Sequence, residues 1–217
     1  MIGNRIGAIL FMMLAWVMQL SAQDFLSTET VTLKNLRFSA SVEFPIEGAP
    51  EVVSGVMQWM GEILGVKMGE GGNFHGMLQA ANDAFSASSS GERHVLIERS
   101  YEDSGCVTFE SMVTDKDGST VRTADCASFS KRDGHRITMD EIFDCDMQTV
   151  KRLMWEYRDE LPMEADGPEG MRPLQAGFID GWVVVIGPAR GYKGAPYMLR
   201  YEEIEEYLKT SEKGYYE

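Results

Sequence analysis

Leu36, Phe38, Ala40, Val42 and Phe44 alternate strictly with the polar residues Arg37, Ser39, Ser41 and Glu43. A period of two is the mark of a strand with one buried face, and Pro45 with Glu47-Gly48 closes it. Pro50 opens a stretch in which Val53, Met57, Met60, Ile63 and Leu64 recur at three- and four-residue spacing. Residues 50–65 are therefore predicted as an amphipathic helix with proline in its first turn. Gly65 and the cluster Gly69-Glu70-Gly71-Gly72 end it. Phe74, Met77, Leu78, Ala81 and Phe85 predict a second helix over 73–86, and the polar run Ser86 to Gly91 reads as a flexible link.

From His94 the pattern is that of strands. Residues 93–101, 105–114 and 119–130 are rich in Val, Ile, Phe and Tyr, with a hairpin turn at Asp115-Lys116-Asp117-Gly118. Gly118 suits the left-handed position of a three-residue loop. That loop sets Asp115 opposite Ser119, Val113 opposite Val121 and Val107 opposite Ala127, which keeps apolar residues on one side. Cys106 would then face Ser128, and Cys126 would face Thr108. Diagonal neighbours stand ~7–8 Å apart, against the ~3.8 Å between Cβ atoms that a disulfide needs. Cys106 and Cys126 are expected to be unbridged.

Lys131-Arg132-Asp133-Gly134 forms a turn, and Thr138 is placed to cap a short helix with Glu141 three residues on, as in a capping box. Val150, Leu153, Met154 and Tyr157 predict a helix over 147–161. After an acidic, glycine- and proline-containing loop (162–173), residues 174–178 and 182–186 read as a hairpin turning at Asp180-Gly181. Residues 197–200 form a last short strand, and 201–209 an acidic helix burying Ile204 and Leu208. The expected fold class is α+β, an antiparallel sheet with helices packed against it.

The first 23 residues stand apart. Arg5 is the only charged side chain before Asp24, and from Ile6 to Met18 every residue is apolar or glycine. Spanning a bilayer takes roughly 20 apolar residues, so this run is short. A basic start and the small residues Ser21-Ala22 describe a secretory signal peptide cleaved near Ala22 or Gln23; an uncleaved anchor is the alternative. The protein is expected to be exported, periplasmic or extracellular, with no stable membrane insertion after cleavage. Export would put Cys106, Cys126 and Cys145 where disulfides can form. An odd number leaves at least one thiol free.

The chain has 217 residues, 44% of them hydrophobic and 25% charged, which excludes a wholly disordered or collagen-like polymer. Twenty Lys+Arg against 34 Asp+Glu give a net charge of −14, which argues against nucleic acid or anionic lipid as partner.

Two stretches carry a family resemblance. One is Gly134 to Phe143, a turn glycine followed by Ile137-Thr138-Met139-Asp140-Glu141-Ile142-Phe143. The other is Gly181 to Leu208. It holds the apolar strand Trp182-Val183-Val184-Val185-Ile186, a loop from Gly187-Pro188 to Gly194-Ala195-Pro196-Tyr197, a strand, and the helix start Tyr201-Glu202-Glu203-Ile204. Together they resemble the bacterial extracytoplasmic domain of RsiV-type anti-sigma factors, a domain that also accompanies the catalytic domain of PdaC-type peptidoglycan deacetylases. Phe44 to Gly48 resembles the start of the companion domain that usually precedes it. The resemblance implies residues 24–90 as a companion-like strand-helix-helix part, packed as one unit with an RsiV-like part over 91–217. It also implies a ligand- or protein-binding role; RsiV-type domains bind lysozyme, and many relatives have no known activity. Family members usually carry Gly-Gly-Ala-His in the middle sheet. Here Thr123-Ala124-Asp125-Cys126-Ala127 stands in that region, so no role of that histidine transfers. With five residues before the apolar run, the chain is not expected to act as an anti-sigma factor by itself.

Catalytic patterns are sparse. The nucleophile elbow Gly-x-Ser-x-Gly is absent, and His75, His94 and His135 form no His-Glu-x-x-His. The three cysteines do not make a zinc pattern. Asp115-x-Asp117-Gly118 lacks the ligands of a calcium loop, since Val113 and Ala124 fall where the first and twelfth belong. No metal and no cofactor are expected. Carboxylates are abundant (Asp140/Glu141, Asp144/Asp146, Glu202/Glu203/Glu205/Glu206), and a hydrolase would need two held about 5–9 Å apart across a cleft. Trp182, Arg190, Tyr192, Lys193 and Tyr197 gather around the loop after Ile186, and aromatic and arginine side chains on such loops anchor interfaces. They form the candidate ligand surface of a non-catalytic module recognising a protein or a cell-envelope glycan. An envelope hydrolase using a carboxylate pair and a structural component of a surface complex are the alternatives.

Overall fold

A computed structural model describes residues 25–67, 69, 71–158, 161–163 and 165–209. Residues 1–23, where a signal peptide is expected, lie outside the described residues. Eight strands, β1 (Ser27–Lys34), β2 (Phe38–Glu47), β3 (Glu92–Glu102), β4 (Cys106–Asp117), β5 (Ser119–Ser130), β6 (Gln175–Ile179), β7 (Trp182–Ala189) and β8 (Tyr192–Arg200), form one sheet. Their order is β1-β2-β3-β4-β5-β8-β7-β6. All neighbours are antiparallel except β2–β3 and β5–β8, which are parallel. The five α-helices among the described residues are α1 (Pro50–Leu64), α2 (Phe74–Ser88), α3 (Met139–Ile142), α4 (Met147–Glu156) and α5 (Tyr201–Ile204). The architecture is α+β.

The helices begin where local chemistry allows. Pro50 occupies the first turn of α1, where its missing N–H leaves no bond unmade. The Asn73 side chain accepts from Gly76 N at 2.8 Å to start α2, and Asp146 accepts from Thr149 N at 2.7 Å to start α4. Thr138 and Glu141 form the expected capping box at α3. Val52, Val56, Met60 and Trp59 turn one stripe of α1 into the core. There they meet Phe38, Val42, Phe44, Val107, Phe109 and Phe129 from the helix-facing side of β2, β4 and β5.

The other side of β4–β5 is covered by the sheet itself. β5 pairs with β8 at only two positions, Arg122–Tyr192 and Thr123–Gly194. Beyond them the β8-β7-β6 ribbon folds across the β4–β5 face. Gly177 of β6 lies so close that a Cβ there would stand 2.5 Å from Cys126 Sγ and 3.0 Å from Ser128 Oγ. Phe178 N donates to Ser128 Oγ at 2.9 Å, and the Thr108 and Ser128 hydroxyls meet at 2.7 Å. A second core then forms on the ribbon's far side, where Ala176, Phe178, Val183, Val185 and Leu199 pack against Val150, Leu153 and Met154 of α4. The layers run helix, sheet, ribbon, helix.

Several elements depart from the sequence pattern. β1 was not anticipated. β2 begins at Phe38, because Leu36 sits in the preceding turn at 96% exposure, and it continues through Pro45 to Glu47 beside a bulge. In the β4–β5 hairpin Asp117 faces Ser119, Val113 faces Thr123 and Val107 faces Phe129, so the strands pair closer to the turn than expected. That shift keeps every side chain on its face, which is why alternation alone does not distinguish the two registers. It puts Cys106 opposite Ser130 and Cys126 opposite Glu110, and all three cysteines are free thiols. α4 ends at Glu156 rather than 161. β8 starts at Tyr192, not 197, which makes the supposed loop after Ile186 a hairpin.

Candidate ligand surface at the β7–β8 hairpin

Trp182-Val183-Val184-Val185-Ile186 is apolar on both faces because β7 is covered on both, by α4 on one side and by Ala124 and Cys126 of β5 on the other. Such a strand is rigid, and the hairpin it supports turns at Arg190-Gly191, with Ala189 paired to Tyr192. Arg190 and Lys193 are exposed and Tyr192 is half-buried. Two contacts fix the tip. Arg190 N donates to Pro162 O at 2.7 Å, and Arg122 N of β5 donates to Gly191 O at 3.1 Å. The Arg122 guanidinium stands 5.5 Å from the centre of the Tyr192 ring, a cation–π distance, with Nη1 3.4 Å from the phenol oxygen.

The structure divides the five sequence-derived residues. Arg190, Tyr192 and Lys193 share the tip. Trp182 lies at the opposite end of β7, roughly 25 Å away at strand rise, where the Arg200 guanidinium sits 5.4 Å from its ring. Tyr197 is fully buried; its hydroxyl donates to Pro188 O at 2.9 Å, and burial raises its pKa. It is a core residue, placed there because its position in β8 alternates with the outward-facing residues. Arg122 was missed, since it arrives from a strand 68 residues away in the sequence and only the β5–β8 pairing brings it in. Arg122, Arg190 and Lys193 form no ion pair among the described residues.

Other polar clusters lie elsewhere on the sheet and its turns. Ser39 Oγ lies 2.7 Å from His94 Nδ1, and His94 Nε2 lies 3.8 Å from Glu92 Oε2. This has the composition of a nucleophile, base and acid. The acid is beyond hydrogen-bond reach, however, and Ser39 and His94 are directly paired on a regular ladder whose N–H groups are engaged, leaving no oxyanion donors beside the serine. His135 is bracketed by Asp133 at 2.5 Å and Glu141 at 3.0 Å, so both ring nitrogens are occupied. Its pKa is raised, chiefly by the Asp133 hydrogen bond. Glu98 and Glu110 face each other across β3–β4. Burial pushes the Glu110 carboxyl up, the Ser100 hydroxyl opposes this, and Glu98 adds to it. Asp125 accepts from Arg136 at 3.1 Å and from Gln175; burial raises its pKa and Arg136 lowers it. No group of three or more His, Cys, Asp or Glu among the described residues converges as metal ligands do.

A cleft of about 40 Å³ opens between Phe25, Leu26, Gly48, Ala49, Val52, Glu102 and Lys131. Glu102 and Lys131 form an ion pair there at 3.0 Å. Its volume suits a water molecule or two. No helix among the described residues is long and apolar enough to cross a membrane.

No family model and no curated protein matches the sequence. Solved structures do. A DUF3298 family member from Bacteroides fragilis NCTC 9343 superposes with a TM-score of 0.66 at 8% identity, over 87% of this chain and 95% of the other. A DUF3298 family protein from Pseudomonas aeruginosa PAO1 superposes with a TM-score of 0.56 at 11% identity, over 87% and 96%. At these identities the likeness concerns the fold alone.

Proposed function

We propose that the chain is an exported binding module of the RsiV-like kind, without catalysis, and that the β7–β8 tip recognises a protein or a cell-envelope glycan. The observation that carries this reading is the tip itself: Arg122 against the Tyr192 ring and the exposed Arg190 and Lys193 at the same hairpin end, none of the three in an ion pair among the described residues, in a chain of net charge −14. An acidic protein with cations left over on a rigid hairpin favours an anionic or carboxylate-bearing partner. Arginine and tyrosine are the side chains that concentrate binding energy in an interface.

The test is a thermal-shift screen of the purified protein with lysozymes, peptidoglycan fragments and divalent cations. A ligand at a hundredfold its dissociation constant stabilises the fold by about 2.7 kcal/mol, and Arg190→Glu with Lys193→Glu should abolish that gain without moving the unliganded transition. Stabilisation that survives both charge reversals removes the tip from the reading.

A second reading, an envelope hydrolase, rests on the Glu98/Glu110 pair, whose raised Glu110 suits a proton donor. Turnover of peptidoglycan fragments lost in both Glu98→Gln and Glu110→Gln would establish it and displace the first.

A further inference from the structure

We infer that the outer edge of β1 is a docking site for an extended, cation-flanked segment of a partner polypeptide, which joins the sheet as a ninth strand. This surface is separate from the hairpin tip and stands without it.

The two sheet edges are treated differently. β6 is five residues long and largely buried, a protected edge. β1 runs eight residues without proline, and its register with β2 is unbroken from Thr28 to Lys34. At strand rise that is roughly 26 Å of template, longer than a typical strand. Every second residue of an edge strand turns its N–H and C=O outward. Among the described residues no backbone group meets those of β1 from outside the β1–β2 pair. Exposed proteins ordinarily blunt such edges with proline, bulges or charge; here Glu29 and Lys34 are the only charges.

The edge is also held in place. Leu26 N donates to Glu102 Oε1 at 2.7 Å, Arg99 Nη1 donates to Leu26 O at 2.5 Å, and Thr28 Oγ1 donates to Glu43 Oε1 at 2.5 Å. Glu102 is itself fixed by Arg99 at 2.6 Å and Lys131 at 3.0 Å, with its side chain 7% exposed. A strand pinned before its partner arrives loses little further entropy on pairing. Exposed apolar side chains flank both ends: Phe25 and Ile46 at one, Leu36 at the other.

The chemistry of the occupant follows from the two faces. Val31 and Leu33 pack toward the core on the side where α2 lies, so the incoming strand's residues on that side are apolar. Thr30 and Thr32 face water, so the alternate residues are polar. Lysine or arginine at its ends suits a receptor of net charge −14. The same charge opposes a second copy, since two such chains repel.

The test uses the peptide Lys-Thr-Val-Thr-Val-Thr-Val-Lys and a control with proline at the central threonine, which removes a backbone donor. Amide hydrogen exchange of the purified protein is followed by NMR. Saturable slowing by about tenfold or more at alternate residues of 27–34, absent with the proline peptide and weakened by Leu36→Ser, is the expected result. Binding with protection elsewhere, equal effects of the two peptides, or no protection at millimolar peptide overturns the inference. So does alternating protection that appears without peptide and tracks a dimer in sedimentation, because β1 would then be occupied by a second copy.

Discussion

Replacing Gly177 by alanine tests whether the ribbon lies on β5 as described. The new methyl would stand 2.5 Å from Cys126 Sγ, 3.0 Å from Ser128 Oγ and 3.6 Å from Thr108 Cγ2. Neither polar atom can step aside freely. Cys126 is fully buried, and Ser128 is held by Phe178 N and by Thr108. Overpacking of this kind costs about 1–3 kcal/mol, against about 0.4–1 kcal/mol gained by restricting the unfolded chain. The net expectation is a loss of about 1–2 kcal/mol, a fall in Tm of roughly 2–8 °C for a chain of this size. Cys126→Ala should itself cost about 1 kcal/mol as a cavity, but it vacates the space the new methyl needs. The double variant should therefore be more stable than the sum of the singles by at least about 1 kcal/mol. Urea unfolding of the four proteins measures this directly. Additivity within about 0.5 kcal/mol would mean that residues 177 and 126 do not touch, and the ribbon's placement would be wrong.

Two further outcomes are expected. Glu102→Ala strips the ion-pair partner from Lys131, whose side chain is 12% exposed, and leaves Arg99 only Glu43 at 3.7 Å. It should cost about 3–5 kcal/mol in denaturant unfolding; a loss under about 1 kcal/mol would show that the network is solvated in solution. His135 has a raised pKa because Asp133 and Glu141 hold its imidazolium, so its contribution to stability is complete below the ordinary value of about 6.5 and is lost as pH rises through the raised one. His135→Gln should flatten stability across that window, and an NMR titration placing the imidazole at or below its ordinary value would contradict the argument.

What was legible in the sequence follows the range of the interactions responsible. α1, α2 and the Thr138 capping box depend on spacing and on residues three or four apart, and they appear where expected. The β6–β7 and β4–β5 hairpins were readable because each turn carries its own glycine. β1 was not, for a physical reason: Thr28, Thr30 and Thr32 alternate with only Val31 and Leu33, a half-covered edge with too little apolar contrast to register. The tip was half legible. Arg190, Tyr192 and Lys193 are neighbours in sequence, whereas Arg122 depends on two residue pairs between β5 and β8. Tyr197 carries the same side chain as Tyr192, and only the extent of β8 tells which of them is covered.

Two clusters of partly or fully buried polar groups stand at seams that apolar packing leaves under-determined. One is the start of β1, tied by Glu43, Arg99, Glu102 and Lys131. The other is the junction of ribbon and sheet. There the ladder between β5 and β8 is two pairs long, and Asp125, Arg136 and Gln175 interlock with the Thr108–Ser128 hydroxyls a few residues further along. Desolvating such groups adds little stability and often removes some. Their effect is on choice among alternatives: a ribbon of valines and alanines could slide over an apolar sheet by one pleat at small cost, but not while Gln175 must meet Asp125 and Phe178 N must meet Ser128. Replacing Asp125, Arg136 and Gln175 together by apolar residues of similar size is therefore expected to leave urea-unfolding stability nearly unchanged, while faster amide exchange in β6 to β8 reports a looser ribbon, and with it a looser hairpin tip. Amide exchange as slow as in the parent protein would contradict this.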